Sequence, residues 1–134
     1  MSFRLPKFPM LTIFHNPASK VSVEALRLLK KASVSNKFTV DLVQAKTVPP
    51  THQQVSCMVE YLGSGSIADG AKEILVEQAP KASTVAEVQK ILDANPEYLR
   101  KPLIVDWNKG KAIIADPPIR VKEMVKDVGE SELR

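Results

Sequence analysis

Apolar residues along this chain switch between two spacings, and the switches divide it into elements. Residues 10–14, Met10, Leu11, Thr12, Ile13 and Phe14, form a short β-rich run ended by His15, Asn16 and Pro17, which reads as a buried strand entering a turn. From Ser19 to about Ala32, the residues Val21, Ala25, Leu28, Leu29 and Ala32 recur at helical spacing. Asn36 and Lys37 mark a turn, and residues 38–43 then alternate apolar and polar as a second strand should. Strand, helix and strand at these lengths predict a parallel crossover unit.

The chain continues through Pro49 and Pro50 into a helix whose Val55, Met58, Val59 and Leu62 make one stripe. Thr51 and Gln54 have capping-box spacing at its start, and the Gly/Ser run at 63–66 stops it. Residues 67–78 are weakly helical through Ala71, Ile74 and Leu75, with Pro80 as the breaker. Thr84 and Glu87 form a second capping-box pair ahead of Val85, Val88, Ile91 and Leu92, and Asn95-Pro96 ends that helix. Residues 103–107 and 111–115, joined by Asn108, Lys109 and Gly110, read as a β-hairpin. Asp116, Pro117 and Pro118 open a last helix with Val121, Met124 and Val125 inward, since Asp caps well and Pro suits a first turn. The order β-α-β, helices, β-β-α is that of the thioredoxin fold.

Composition narrows the picture. The 134 residues fit one domain, with residues 1–9 as a short N-terminal extension. With 44% hydrophobic and 25% charged residues the composition is that of a folded globular protein, and no apolar run is long enough for a membrane span. The net charge of +4 is uneven: residues 1–67 carry eight Lys/Arg against three acids, residues 68–134 eleven against twelve. No Lys/Arg run exceeds two residues and none is interleaved with aromatics, so nucleic-acid binding is not expected. No acid precedes Glu24, while Arg4, Lys7 and Lys20 are basic; such a start suits a mitochondrial targeting segment, with the cytoplasm as the alternative address. Pro6 and Pro9 interrupt any presequence helix. Cys57 is the one cysteine, so an intramolecular disulfide and a cysteine-built zinc site are both excluded, and no metal is expected.

Two segments carry a resemblance. Ile13-Phe14-His15-Asn16-Pro17-Ala18-Ser19 resembles the strand-to-helix loop of the glutaredoxin-coupled bacterial arsenate reductases, whose pattern is His-Asn-Pro-x-Cys. Leu99-Arg100-Lys101-Pro102-Leu103-Ile104-Val105 resembles the later segment of that family, where Arg-Pro precedes a strand. Pro49-Pro50-Thr51 and the helix end Tyr61-Leu62-Gly63 fall in step. The resemblance implies an α/β, thioredoxin-like domain of arsenate-reductase-like topology, a four-stranded mixed sheet flanked by helices. It also implies a cis Pro102 near residues 16–19, exposing backbone that pairs with a thiol peptide such as glutathione.

The departures matter as much. Ser19 stands where the reductases place the attacking cysteine, and an alcohol can neither ionise near neutral pH nor form a mixed disulfide. Lys101 replaces an oxyanion-binding arginine, reducing a bidentate fork to a point charge. Residues 64–70 are short where those enzymes supply a further arginine, so arsenate reduction is not expected. The same departures resemble a narrower fungal family of mitochondrial redox proteins with a thioredoxin fold. Its members lack that cysteine and share the features found here as Asn16, Ala18-Ser19, Leu28-Leu29-Lys30 and Val105-Asp106-Trp107.

Three functions follow from this resemblance. The first is a mitochondrial redox protein, thiol-oxidoreductase-like or glutathione-linked, with Cys57 as its sole sulfur nucleophile and glutathione or a thiol-bearing protein as partner. The second is a non-catalytic binding or adaptor domain on the same fold. The third is a glutathione-transferase-like site in which Ser19 orients a bound thiol. Candidate ligand contacts are His15, Asn16, Ser19, Lys20, Lys101 and Pro102, with Lys20 adding positive potential for a carboxylate. Each also has a plain structural reading: Ser19 satisfying helix amides after an Asn16 cap, His15 packing at a strand end, Lys20 as a solvated charge. Cys57 falls about 200° around its helix from Val55, with Gln54 and Tyr61, off the apolar stripe and far from any free amide.

Overall fold

A computed structural model describes residues 10–36, 38–44 and 49–126; the N-terminal extension and the turn residue Lys37 lie outside the described residues. The elements are β1 (Met10–Phe14), α1 (Lys20–Asn36), β2 (Thr39–Val43), α2 (His52–Gly63), α3 (Ile67–Ile74), α4 (Val85–Ala94), β3 (Leu103–Asp106), β4 (Lys111–Ile114) and α5 (Val121–Val125), with 3-10 turns at Pro96–Tyr98 and Pro118–Arg120. The sheet order is β2-β1-β3-β4. β1 pairs parallel with β2 and antiparallel with β3, and β3 pairs antiparallel with β4. This is the expected mixed sheet.

Strand alternation divides the core in two. Phe14, Leu103 and Val105 point to one face, where they pack with Val55, Met58 and Val59 of α2, Ile74 of α3 and Leu92 of α4. Leu11, Ile13 and Ile104 point to the other, against Ala25 and Leu29 of α1 and Val121 and Met124 of α5. Burial of such side chains contributes roughly 1.5–3 kcal/mol each before entropy is charged.

Local signals place most boundaries. Thr51 and Gln54 make both reciprocal bonds of the capping box. The β3–β4 turn is held by Asp106, whose Oδ1 accepts from the Asn108 and Lys109 amides, and by Gly110 at φ 68°.

Four expectations are corrected. α1 runs four residues beyond Ala32, its last turn closed by Ser33 and Asn36 side chains donating to the Lys30 and Ala32 carbonyls. α3 stops at Ile74 rather than near Gln78, because Arg100 takes three successive carbonyls: its Nε the Glu73 oxygen, its amide that of Ile74, its Nη2 that of Leu75. Thr84 caps α4 by accepting from the Glu87 amide, but the Glu87 carboxylate reaches one residue further back, to Ser83. Asp116 does not cap the last helix; a 3-10 turn starting at Pro118 intervenes before α5.

Candidate functional site

The loop after β1 is built by four hydroxyl and amide groups. The Asn16 side-chain oxygen accepts from the Ala18 amide at 3.0 Å, a turn that leads Pro17 and Ala18 around the corner. Ser19 is itself the helix cap: its hydroxyl accepts from the Ser22 amide at 3.2 Å, and its carbonyl receives the first helical bond from Val23. Asn16 thus forms the turn before the helix and Ser19 caps it. The cap's hydroxyl proton has no partner among the described residues, and the residue is half-buried.

Behind the loop lies a buried pair. His15 Nδ1 and Ser22 Oγ are 2.6 Å apart, and the Asn16 amide donates to the same Oγ at 2.9 Å. Among the described residues Nδ1 is the one acceptor within reach of the Ser22 hydroxyl proton, so Oγ donates to it and the imidazole proton is placed on Nε2; this tautomer is assigned from the bonding pattern. Burial, and secondly the Lys30 charge, hold the His15 imidazole below its ordinary range. It is therefore neutral at pH 7. A cation is disfavoured at this spot while the loop's outer surface is positive: Lys20 is exposed at the first position of α1, whose first turn holds no acid.

That shift has a measurable consequence. As pH falls below about 6.5 the unfolded chain takes up a proton that native His15 does not, so stability present above that pH is lost as pH drops through the lowered native value. The expected loss is at most about 1.4 kcal/mol per pH unit from this group. Urea unfolding from about pH 7 to about pH 5 reads it, and His15→Gln should remove that part of the slope. An unchanged slope would mean His15 titrates alike in both states.

The Lys101–Pro102 peptide is cis. Phe14 pairs with Leu103, and continuing this antiparallel register sets buried Pro102 beside His15, at the head of the loop. Its carbonyl accepts from Ala115, which ties the turn to the end of β4. His15, Asn16, Ser19, Lys20, Lys101 and Pro102 thus share one end of the sheet.

Cys57 does not join them. It is half-buried on α2 and opens on a cavity of about 430 Å³ whose walls are Thr51, Gln53, Gln54, Tyr61 and Trp107. None of the loop residues lines that cavity. Trp107 follows Asp106, the partner of Leu11, and so stands at the opposite end of β1 from His15. Its indole donates to Thr12 Oγ1 at 2.8 Å, and Thr12 donates to Asp41 Oδ2 at 3.2 Å. Tyr61 meets Trp107 edge-on at 6.4 Å between ring centres. Burial pushes the Tyr61 phenol up, and the adjacent Cys57 thiol adds to the effect. The tyrosine therefore keeps its proton beside the sulfur at physiological pH.

Two features escaped sequence reasoning. Ser22 occupies the innermost line of α1 with Ala25 and Leu29; a serine at apolar spacing was the available signal. The Tyr61–Trp107 wall joins residues far apart in sequence and has no local signature. His52 is exposed, and among the described residues no three His, Cys, Asp or Glu side chains sit together as a metal site would require.

The parallel β-α-β unit, the antiparallel β3–β4 pair and the cis-proline turn facing the β1 loop define a thioredoxin-like protein. Within that class, the chain belongs to the family described as "Protein of unknown function (DUF1687)", whose profile matches residues 3–116. It is similar to the "Uncharacterized protein YfgD" of Escherichia coli strain K12, 29% identical over 118 residues that span 84% of this chain and 94% of that protein. Two solved structures share the fold. One, "Putative arsenate reductase from Yersinia pestis", is 24% identical with TM-score 0.66, covering 84% of this chain and 98% of that one. The other, an arsenate reductase from Vibrio cholerae, is 17% identical with TM-score 0.67, covering 87% and 98%.

Proposed function

We propose that this chain is a thiol-redox protein that works through Cys57, forming a mixed disulfide with glutathione or a thiol-bearing protein. The observation that carries the reading is the position of the thiol: it opens on a cavity of about 430 Å³ walled by Tyr61 and Trp107, while Ser19 is consumed as a helix cap. The step is disulfide exchange. The Cys57 thiolate attacks one sulfur of oxidised glutathione, the S–S bond breaks, reduced glutathione leaves, and a glutathionyl group stays on Cys57. A second thiol reverses the step, since no other cysteine in the chain can resolve it. The mitochondrial address is part of the same proposal, supported by the acid-free stretch before Glu24 and the family resemblance.

Incubation with oxidised glutathione should add one glutathionyl group per chain by intact-mass spectrometry, and Cys57→Ser should abolish it. Absence of the adduct under conditions that modify an unfolded control would sink the redox reading. Amide shifts with reduced glutathione then separate the alternatives. Shifts at residues 15–20 and 101–103 would favour a Ser19-centred thiol site, and no shift anywhere would favour a non-catalytic adaptor domain. The Ser19 alternative rests on its unpartnered hydroxyl proton, at the same end of the sheet as Pro102.

A further inference from the structure

A second cavity, of about 460 Å³, lies between α3, the segment that follows it and Arg100. It is built by the event that ends α3. Arg100 donates to the Glu73, Ile74 and Leu75 carbonyls, and Val76 donates to the Tyr98 carbonyl. The chain then turns at Ala79, whose amide returns to the Val76 carbonyl, and leaves at Pro80. The space enclosed has an apolar floor of Ala71, Leu75, Val76 and Ala79.

The guanidinium in its wall is held in place at both ends. Nε and Nη2 are each bonded to a carbonyl, at 2.9 and 2.7 Å, so the group cannot swing. Its other N–H bonds, two on Nη1 and one on Nη2, have no partner among the described residues. Lys72 and Lys81, both exposed, also line the cavity and carry no ion pair among the described residues. Asp69 and Glu77 stand against these three cations. A single excess positive charge over an apolar floor suits one anionic group on an apolar body, and it disfavours a polyanion.

We propose that this cavity binds a small amphiphilic carboxylate, its head on the fixed Arg100 guanidinium and its apolar body over Leu75 and Val76. The site is independent of the thiol chemistry assigned to Cys57, whose cavity shares no wall residue with it. Cavities of this volume are ordinary for small-molecule ligands, and a pre-fixed arginine gives a carboxylate its bonds without ordering a free side chain.

The test uses the full chain, octanoate as probe and octanol as its uncharged counterpart, read by amide shifts in ¹H–¹⁵N spectra. Low-millimolar octanoate should shift residues 68–82 and 99–101, and octanol should bind at least about tenfold more weakly, the value of one charge-assisted contact. Arg100→Ala would also release the Glu73 and Leu75 carbonyls at the end of α3, so the decisive variant is Lys72→Glu/Lys81→Glu, which changes only exposed side chains. It should weaken octanoate roughly tenfold and leave octanol unchanged. The proposal is overturned by no shifts in these segments, by equal binding of octanol and octanoate, or by octanoate affinity that ignores the double reversal.

Discussion

Gly70→Ala is expected to cost at least about 3 kcal/mol, the upper end for overpacking, which is a large part of the roughly 5–15 kcal/mol that holds a domain of this size together. The reason is a backbone-to-backbone crossing. A Cβ on Gly70 would occupy the place of the Val59 carbonyl oxygen, and one on Gly63 would lie 2.8 Å from the Gly70 amide nitrogen. Neither obstacle is the end of a flexible side chain. α3 cannot slide away, because Ser64 at φ 50° and Gly65 at φ 99° make a short turn whose next residue, Ser66, caps α3 and receives the Gly70 amide. Relief requires lifting α3 off α2, which exposes Ala71 and Ile74 on one helix and Met58 and Val59 on the other. Gly65→Ala is the instructive comparison: nothing lies near its Cβ, so only the left-handed backbone is penalised, at about 1–2 kcal/mol. Urea midpoints at constant slope measure both. A Gly70→Ala midpoint equal to that of Gly65→Ala would show that the two helices are not in backbone contact.

The same crossing explains which parts of the molecule are legible in sequence. Features whose partners are close along the chain can be read directly. The Thr51–Gln54 box starts α2 where its spacing says it should, and the run ended by His15-Asn16-Pro17 is β1 to the residue. Features set by distant partners cannot be read so. The end of α3 is fixed by Arg100, twenty-five or more residues away, whereas local composition favours continuing the helix to Pro80. Glu87 could serve Thr84 or Ser83 at almost equal reach, and spacing alone cannot choose. For the candidate site, the loop residues group as the resemblance implies, because strand pairing carries Pro102 to the loop. Cys57 is off the apolar stripe as its helical angle predicts, half-buried beside Gln54 and Tyr61. Its far wall, Trp107, depends on the reversal of β3 against β1 and is invisible until the register is known.

Ser19→Cys, in a Cys57→Ser background, is expected to give a thiol that titrates at about 7.5 or below, against about 8.5 for a free cysteine. The argument rests on what the hydroxyl of Ser19 already does. It accepts the Ser22 amide at the N-terminus of a 17-residue helix, with Lys20 as the next residue and no acid in the first turn. A thiolate there would take the same bond and the same dipole field, and sulfur at helix N-termini is shifted down by a unit or more, to about 7.5 and below. Neutral His15 adds no charge, since burial keeps it unprotonated and Ser22 occupies its Nδ1, so the effect belongs to the backbone and to Lys20. Alkylation by iodoacetamide against pH reads the ionisation directly. The rate near pH 7 should exceed that of a free thiol by roughly threefold, once the lower nucleophilicity of an acidic thiolate is allowed for. An apparent value near about 8.5 would mean that the cap does not present its amide to an anion, and the electropositive reading of this loop would fall with it. The expected result would instead show that position 19 keeps the surroundings of a thiol site and lacks only the sulfur. Redox chemistry in the natural chain would then have to run through Cys57, where Tyr61 and Trp107 supply a wall but no helix terminus.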